Sequence, residues 1–371
     1  MTMNKVFLKQ LKENIKSIKE GNTKTVFTIA TTSKQEAEPY LTPIRISDIF
    51  NVCGCVIFEP SILNEIVDII DGEVDYIFVD SEKKIPVSIN QQLNVVETGN
   101  LSKICFQKIK NSKILEYKPN DITVNAAWSF LSQKLNFLSG KKVSILGSGN
   151  IGSKLALKLV ECGVSVSIHR RNSFKGYGIS QGLNFIKPEN TVSNITFHEN
   201  ILQTAFMSDV LIGASNGISI IDTDVIKSIN NDAIIVDLGK NTLTQDAIQF
   251  ALDQNIEIYR TDISSAFEGF IYEAIKMDEI LNFSYGKKDL GYCHIVGGGY
   301  HGKNGDVVVD NISNPKIIYG IAAGDGSIKR KLSNKDKEKL SKLKKEIALW
   351  IILPRSIEII FTNLCPIKIW R

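Results

Sequence analysis

The sequence predicts an α/β protein: an N-terminal α/β domain, a doubly wound parallel sheet, and a small C-terminal β-meander followed by a helix. Three observations carry this reading. Short, largely apolar runs recur at 26–30, 55–58, 76–79, 210–214 and 233–239, as in strands buried on both faces. Segments of helical period lie between several of them. From residue 141 to 262 strand and helix alternate regularly, which is how a parallel sheet is wound.

The elements follow in order. Residues 5–20 place Val6, Leu8, Leu11, Ile15 and Ile18 near a helical period. VFTIA, CVIF and YIFV read as strands, and SILNEIVDII between the last two sets Ile62, Ile66, Ile69 and Ile70 on one helix side. Pro119-Asn120-Asp121 breaks the chain and offers an N-cap. A helix over 122–137 is expected next, with Val124, Ala127, Trp128, Leu131 and Leu135 inward and Ser139-Gly140 as its stop. It would bridge two domains.

KKVSILG then predicts a strand and IGSKLALKLVECG a helix. Strands are expected at 164–169, 210–214, 233–239 and 256–262, and helices at 222–230 and over TQDAIQFALDQ. Residues 264–282 read as a helix returning to the first domain. HIVGGGY and DVVVDN flank Asn304-Gly305, a pair suited to a type I′ hairpin turn. With KIIYGIAAG and the turn Gly324-Asp325-Gly326 they predict the meander. Residues 333–348 read as a Lys-rich helix with a solvated face. The expected segments are therefore 1–121, 122–263, 264–330 and 331–371.

Composition bounds the function classes. The chain has 371 residues, 43% hydrophobic and 23% charged, which suits a soluble globular protein of about two domains. A formal charge of +4 does not point to nucleic acid. Cys53, Cys55, Cys105, Cys162, Cys293 and Cys365 are scattered without paired metal spacing. They read as free thiols in a reducing compartment, with no metal site. The Lys-rich first twenty residues lack an apolar h-region, and the apolar run 349–353 is too short and interrupted to span a bilayer. The expectation is a soluble, cytoplasmic protein without a membrane or nucleic-acid partner, acting on a small molecule. A homodimer is left open.

The sharpest motif is Gly147-Ser148-Gly149-Asn150-Ile151-Gly152, set between a strand and a helix, with a second strand twelve residues beyond. Each glycine has a task. Gly147 permits the tight turn, Gly149 lets a pyrophosphate approach the backbone, and Gly152 allows close helix–strand packing. The N-terminus of the following helix offers free N–H groups and a positive dipole end to phosphates. The motif therefore predicts a Rossmann dinucleotide site. At the end of the second strand stand His169, Arg170, Arg171, Asn172 and Ser173, with no acid. An acid there accepts from the NAD ribose, whereas guanidinium groups bind a 2′-phosphate. NADP is favoured, and NAD stays open.

Residues 118–262 resemble the shikimate dehydrogenase and methylene-tetrahydrofolate dehydrogenase group, the amino-acid-dehydrogenase-like family. The likeness lies in the helix before GKKVSILGSGNIG, in IHRRNS, in SDVLIGASNGI and in IIVDLGKNTLTQDAIQFA. IHRRNS is similar to the Asn-Arg-Thr motif that holds NADP in many shikimate dehydrogenases. The resemblance implies that the loop at Ala214 and Ser215 lies under the cofactor. It also implies proton transfer by a lysine of the first domain with an aspartate just before the bridging helix. Asp121 stands at that place, with Lys83 and Lys84 upstream after YIFVD. The family's Ser-Leu-Ser-Pro and C-terminal glutamine motifs are not present, so shikimate itself is not implied.

Other residues complete the candidate set. Lys240 and Asp262 end strands at the carboxyl edge, where ligands bind, and Asp237 caps a turn. Cys293, His294 and His301 flank Gly297-Gly298-Gly299 and read either as hairpin structure or as a pocket. The expected function is an NADP-dependent oxidoreductase acting on a small polar metabolite in an interdomain cleft. The alternatives are an enzyme that uses the bound nucleotide without net redox change, and a non-catalytic nucleotide-sensing protein.

Overall fold

The computed structural model describes residues 5–31, 38–58, 60–82, 85–90, 95–99 and 101–352. The chain divides into two compact units, Met1–Phe270 and Ile271–Arg371.

The first unit holds two large sheets and a two-stranded hairpin. Its early elements are α1 (Lys5–Ile18), β1 (Lys24–Thr31), β2 (Tyr40–Ile46), β3 (Phe50–Ile57), α2 (Leu63–Ile70) and β4 (Tyr76–Asp80). A β5–β6 hairpin (Ile85–Asn90, Val95–Gly99), α3 (Leu101–Lys108) and β7 (Lys113–Tyr117) follow. The sheet order is β2-β3-β1-β4-β7, parallel except for the antiparallel edge strand β2. Alternate residues of the strands (Phe27, Ile29, Cys53, Cys55, Ile57, Ile77 and Val79) share one core with Leu11, Ile15 and Ile18 of α1, Ile66 and Ile70 of α2, and Cys105 of α3. Each such Leu or Ile contributes about 1.5–3 kcal/mol by leaving water.

α4 (Pro119–Lys134) leads into the second sheet. It contains β8 (Lys142–Leu146), α5 (Asn150–Glu161), β9 (Ser165–His169), α6 (Ser173–Ile186), β10 (Ile195–Phe197), α7 (Ile201–Ala205) and β11 (Val210–Gly213). α8 (Thr223–Ser228), β12 (Ile234–Asp237), α9 (Gln245–Asp253) and β13 (Ile258–Arg260) complete it. All six strands are parallel in the order β10-β9-β8-β11-β12-β13. This is the 3-2-1-4-5-6 order of dinucleotide-binding sheets. α4 and α5 pack on one face through Val124, Ala127, Leu131, Leu155 and Leu159. α8 and α9 cover the other through Val225, Ile226, Ala247 and Ala251. The expected doubly wound sheet is present. α10 (Ser264–Glu279) begins beside the first sheet, where Phe270 meets Phe78 edge-on at 5.8 Å and Arg45 lies over the Phe267 ring at 5.3 Å.

The second unit carries β14 (Gly286–Asp289), β15 (His294–Gly297), β16 (Val307–Val309), β17 (Ile318–Ile321) and α11 (Asn334–Ile352). Ile295, Val307, Val309 and Ile321 form its core with Leu343 and Ile347 of α11. A small β element with a helix was expected, but its connectivity differs from a meander. β15 and β16 pair parallel, while β14–β15 and β16–β17 pair antiparallel. Asn304-Gly305 therefore lies in a crossover and not in a hairpin. Of the two only Gly305 takes positive φ, at +95°, whereas a type I′ turn needs both. Its N–H donates to the Ala322 carbonyl at 3.0 Å, and its carbonyl accepts from Lys339 at 2.6 Å. The loop is committed to tertiary bonds that a two-residue hairpin would not make.

Among the described residues, no helix is long and apolar enough to cross a membrane.

Candidate functional site

The carboxyl ends of β8, β11 and β12 meet at one edge of the second sheet. The chain leaves β8 toward β9 on one side, while β11 lies on the other, so this edge is the point where strand order reverses. Ligands bind there in open α/β sheets. The Gly147–Gly152 loop occupies it. Gly147 has φ +117°, and a Cβ on it would lie 2.6 Å from the Ala214 carbonyl group. A Cβ on Gly152 would lie 2.2 Å from the Gly147 oxygen, so α5 closes onto the strand only because none is there. Gly149 differs. It has φ −82° at the N-cap of α5, and an added Cβ would meet nothing within 4 Å.

The first N–H groups of α5 have no partner within the helix, as at any helix start. Ser148 is fully buried, and its Oγ has no hydrogen-bond partner. The open N–H groups at the start of α5 are donors aimed beyond the helix, where an anion can accept them. The neighbouring loops are held firmly. The Ala214 N–H donates to Leu146 at 2.8 Å, and Asp237 accepts from the N–H of Asn241 at 2.9 Å and from the Thr242 hydroxyl at 2.7 Å. Asp237 thus caps a turn. It fixes Lys240 and Asn241, both in the left-handed region (φ 58° and 61°), a conformation that costs energy for a side chain bearing a Cβ. Ala214 and Ser215 are half-buried, and Lys240 is exposed at this same edge.

The basic turn after β9 divides. His169 faces inward: it is buried, with Nδ1 3.2 Å from the His198 carbonyl. Its own carbonyl accepts from the N–H groups of Gly147 and Ser148, each at 3.1 Å. β9 runs through His169, and the outward turn that carries the two arginines begins one residue later. Arg170 donates to the Ser148 carbonyl and so stands over the glycine loop. Arg171 is exposed. Asn172 caps α6, accepting from the Lys175 N–H at 2.9 Å.

Asp121 lies in the first turn of α4, which starts at Pro119, three residues earlier than expected, with Lys118 as N-cap. Its carboxylate pairs with Lys118 at 2.7 Å and also binds Lys154 of α5. Partial burial opposes its ionisation, but hydrogen bonds from Lys118 and Lys154 outweigh burial and hold the carboxyl below the usual carboxylate range. The hydrogen bond to Asp121 in turn raises Lys118 above the ordinary lysine value. Asn120 joins the same contact. Its N–H donates to Glu82 at 3.2 Å and its amide to Asn150 at 3.3 Å. The starts of α4 and α5 are therefore tied together, next to the carboxyl end of β4. There Asp80, fully buried, accepts from the N–H (3.1 Å) and hydroxyl (2.8 Å) of Thr31 and from the Glu82 N–H (2.8 Å). Lys83 and Lys84 lie outside the described residues.

Sequence reasoning missed Lys154, Lys118, Asp80 and Glu82. The terminal Asp of YIFVD, at the carboxyl end of a strand, was the available signal. Lys154 had none, because its partner is 33 residues away. Asp262 caps α10, accepting from the Ser264 N–H at 2.8 Å. In the second unit Cys293 is a core residue, the ring nitrogens of His294 lie 3.5 Å from Asp289 and 3.6 Å from Asp306, and His301 abuts Gly326. These groups do not converge on one hollow.

No protein-family profile matches the chain, and no curated protein matches it. Among solved structures it is similar to a dipicolinate synthase chain from Bacillus halodurans, at 14% identity, covering 64% of this chain and 89% of that one, with a TM-score of 0.33. It is also similar to a dipicolinate synthase chain from Bacillus subtilis, at 12% identity, covering 69% and 97%, with a TM-score of 0.33. A shikimate dehydrogenase in complex with NADP+ matches at 15% identity over 64% and 84%, with a TM-score of 0.36. The fold is established by the chain's own strand order and glycine loop, and it is the dinucleotide-binding Rossmann fold.

Proposed function

We propose that the chain is an NADP-dependent dehydrogenase or reductase of a small polar metabolite, with NAD as the weaker cofactor. The observation that carries the reading is Gly149. Its backbone conformation is open to any residue and the space beside it is empty of protein, so the fold itself does not require glycine there. A pyrophosphate approaching the start of α5 does.

The N–H groups of Asn150, Ile151 and Gly152 would hold the diphosphate, with the Ser148 backbone closing the loop beneath it. Arg170 and Arg171 would bind the 2′-phosphate, since guanidinium pairs with phosphate in bidentate geometry. Ala214, Ser215 and Lys240 would border the nicotinamide half. The nicotinamide, when bound, supplies or accepts a hydride at C4. The chain must then move one proton at the substrate oxygen. Asp121 with a lysine Nζ suits that task. Lys118 and Lys154 already hold its carboxylate. The family resemblance would make Lys83 or Lys84 the lysine of the pair. The substrate would lie by the carboxyl ends of β1 and β4. The packed free thiols Cys53, Cys55 and Cys105 suit a reducing, cytoplasmic setting.

Titration of the protein with NADP and NAD tests the cofactor reading. NADP should bind more tightly, and Arg170→Asp should weaken NADP far more than NAD. Equal affinities in the unaltered protein would overturn the preference. Stoichiometric NADPH consumption with a metabolite set tests the redox reading; binding without turnover across the set would favour a nucleotide sensor.

A further inference from the structure

α6 turns Ile179 and Leu183 onto the sheet core, beside Gly176, where a Cβ would lie 2.2 Å from the Phe197 ring, and buried Ser180. Its outer side carries Phe174, Tyr177, Phe185 and Ile186, which are 89%, 61%, 87% and 63% exposed. Between them stand Gly178 and Gly182, each with nothing within 4 Å of an added Cβ. A helical glycine costs about 1 kcal/mol relative to alanine, and no neighbour within the chain requires these two. Gly178 leaves a shallow hollow of about 360 Å³, lined by Arg170, Phe174, Lys175, Tyr177 and Ile179 as well.

The pattern is self-complementary. Phe174, Gly178, Gln181 and Phe185 form one stripe with 4-3-4 spacing, which reads the same from either end. A second α6, antiparallel and in register about the midpoint of 179 and 180, sets Phe174 against the partner's Phe185. It sets Gly178 beside the partner's Gln181, so an open glycine meets a long side chain on the stripe. The stripe itself carries no charge, so no like charges oppose along it. Two-fold symmetry requires this kind of self-matching surface.

We propose that this face of α6 is the isologous interface of a homodimer. The area agrees. At roughly 200 Å² per large side chain, Phe174, Tyr177 and Phe185 expose on the order of 500 Å², against about 800 Å² per partner in a standard interface. A patch of that size is at the upper end of the roughly 300–600 Å² found on monomers, where such patches are often functional. The second copy is favoured over another partner because the stripe matches itself, knob to notch.

Sedimentation of the full-length chain tests this. A dimer is expected at micromolar concentration. Phe185→Glu should raise its dissociation constant at least about 30-fold, as loss of a central aromatic anchor does, with the circular dichroism spectrum unchanged. A second variant guards against misfolding. In Phe174→Cys/Phe185→Cys the two positions are about 16 Å apart on their own helix, too far to bridge within a chain. Mild air oxidation should therefore link two chains and double the mass on a non-reducing gel, beyond any background of the parent protein. A chain that stays monomeric at 100-fold higher concentration, about 100 μM or more, would overturn the proposal. So would a dimer insensitive to Phe185→Glu, or one that gains no 174–185 cross-link.

Discussion

Helices α5 and α6 follow adjacent strands of one sheet, and each is associated with three glycines. Gly147 and Gly152 at α5, and Gly176 in α6, are each compelled by atoms of the chain: a Cβ would collide with the Ala214 carbonyl group, the Gly147 oxygen or the Phe197 ring. Gly149 at α5, and Gly178 and Gly182 in α6, face empty space. The first class is explained by packing inside the protein. The second has no packing cause inside the protein (at Gly149 only the mild preference of an N-cap for glycine) and points to what lies outside. At α5 the open glycine sits at a helix start beside Arg170, which suits an anion. In α6 the open glycines sit mid-helix among aromatic rings, which suits another helix. The same residue type marks two different partners, and its neighbours distinguish them.

The sharpest way to break this division is to fill both classes. Gly152→Val puts carbon against a backbone oxygen that cannot move without opening α5 from β8. It should cost about 3 kcal/mol or more, read as a lower urea midpoint. Gly149→Val fills space that holds no protein atom, so the fold should lose no more than about 1 kcal/mol, the difference between glycine and valine at an N-cap. Nucleotide affinity should fall, by about 5- to 150-fold if the clash costs the ~1–3 kcal/mol of ordinary overpacking. A folded Gly149→Val protein with unchanged NADP affinity would remove the phosphate from this loop.

Gly178→Ala tests the other open class with the opposite sign. In a Phe185→Glu background, where the proposed dimer is already broken, the added methyl should raise unfolding stability by roughly 0.5–1 kcal/mol through helix propensity alone. A loss there would mean that Gly178 packs against its own chain after all.

These two helices also measure what the sequence reveals. α5 and its loop were legible because six consecutive residues contain the whole phosphate motif and the helix turns its apolar side inward. α6 and the edge strand β10 were not. With Phe174 and Phe185 outside, three glycines within fourteen residues and an inward stripe of only Ile179 and Leu183 beside Gly176 and Ser180, α6 shows a weak apolar period. β2 and β7 were missed for a related reason: they are the outer strands of their sheet, half-exposed and interrupted by polar residues or Pro43. The Asn304-Gly305 turn was misread because its hydrogen bonds go to residues 322 and 339, which no local rule anticipates. His169 was grouped with the arginines because one residue of strand length decides whether a side chain points in or out. Asp121 was legible as a chain break with an acid, but its lysine partner across the α4–α5 contact was not.

That contact separates the two helices once more, at smaller energy. α5 is joined to α4 through Lys154 and Asp121, whereas no ion pair within α6 or from it to another element is among those of the described residues. Asp121 titrates below the usual carboxylate range, because the lysine hydrogen bonds outweigh its partial burial. The sign follows from linkage. A carboxyl depressed in the folded state adds stability that is fully present above its unfolded value, about 3.9, and is lost as pH falls through the lower folded value. Between pH 5 and 8 the clamp should therefore be constant, and α5 should loosen from α4 only below about pH 4. Asp121→Asn keeps the shape and removes the titration. It should flatten this acid limb of stability, leave NADP affinity nearly unchanged because the residue lies outside the glycine loop, and lower turnover if the carboxylate serves proton transfer. The pH dependence of unfolding in the two proteins, with cofactor titration beside it, checks each part. Joint loss of nucleotide binding and turnover would instead make Asp121 a strut between α4 and α5, with no part in the chemistry.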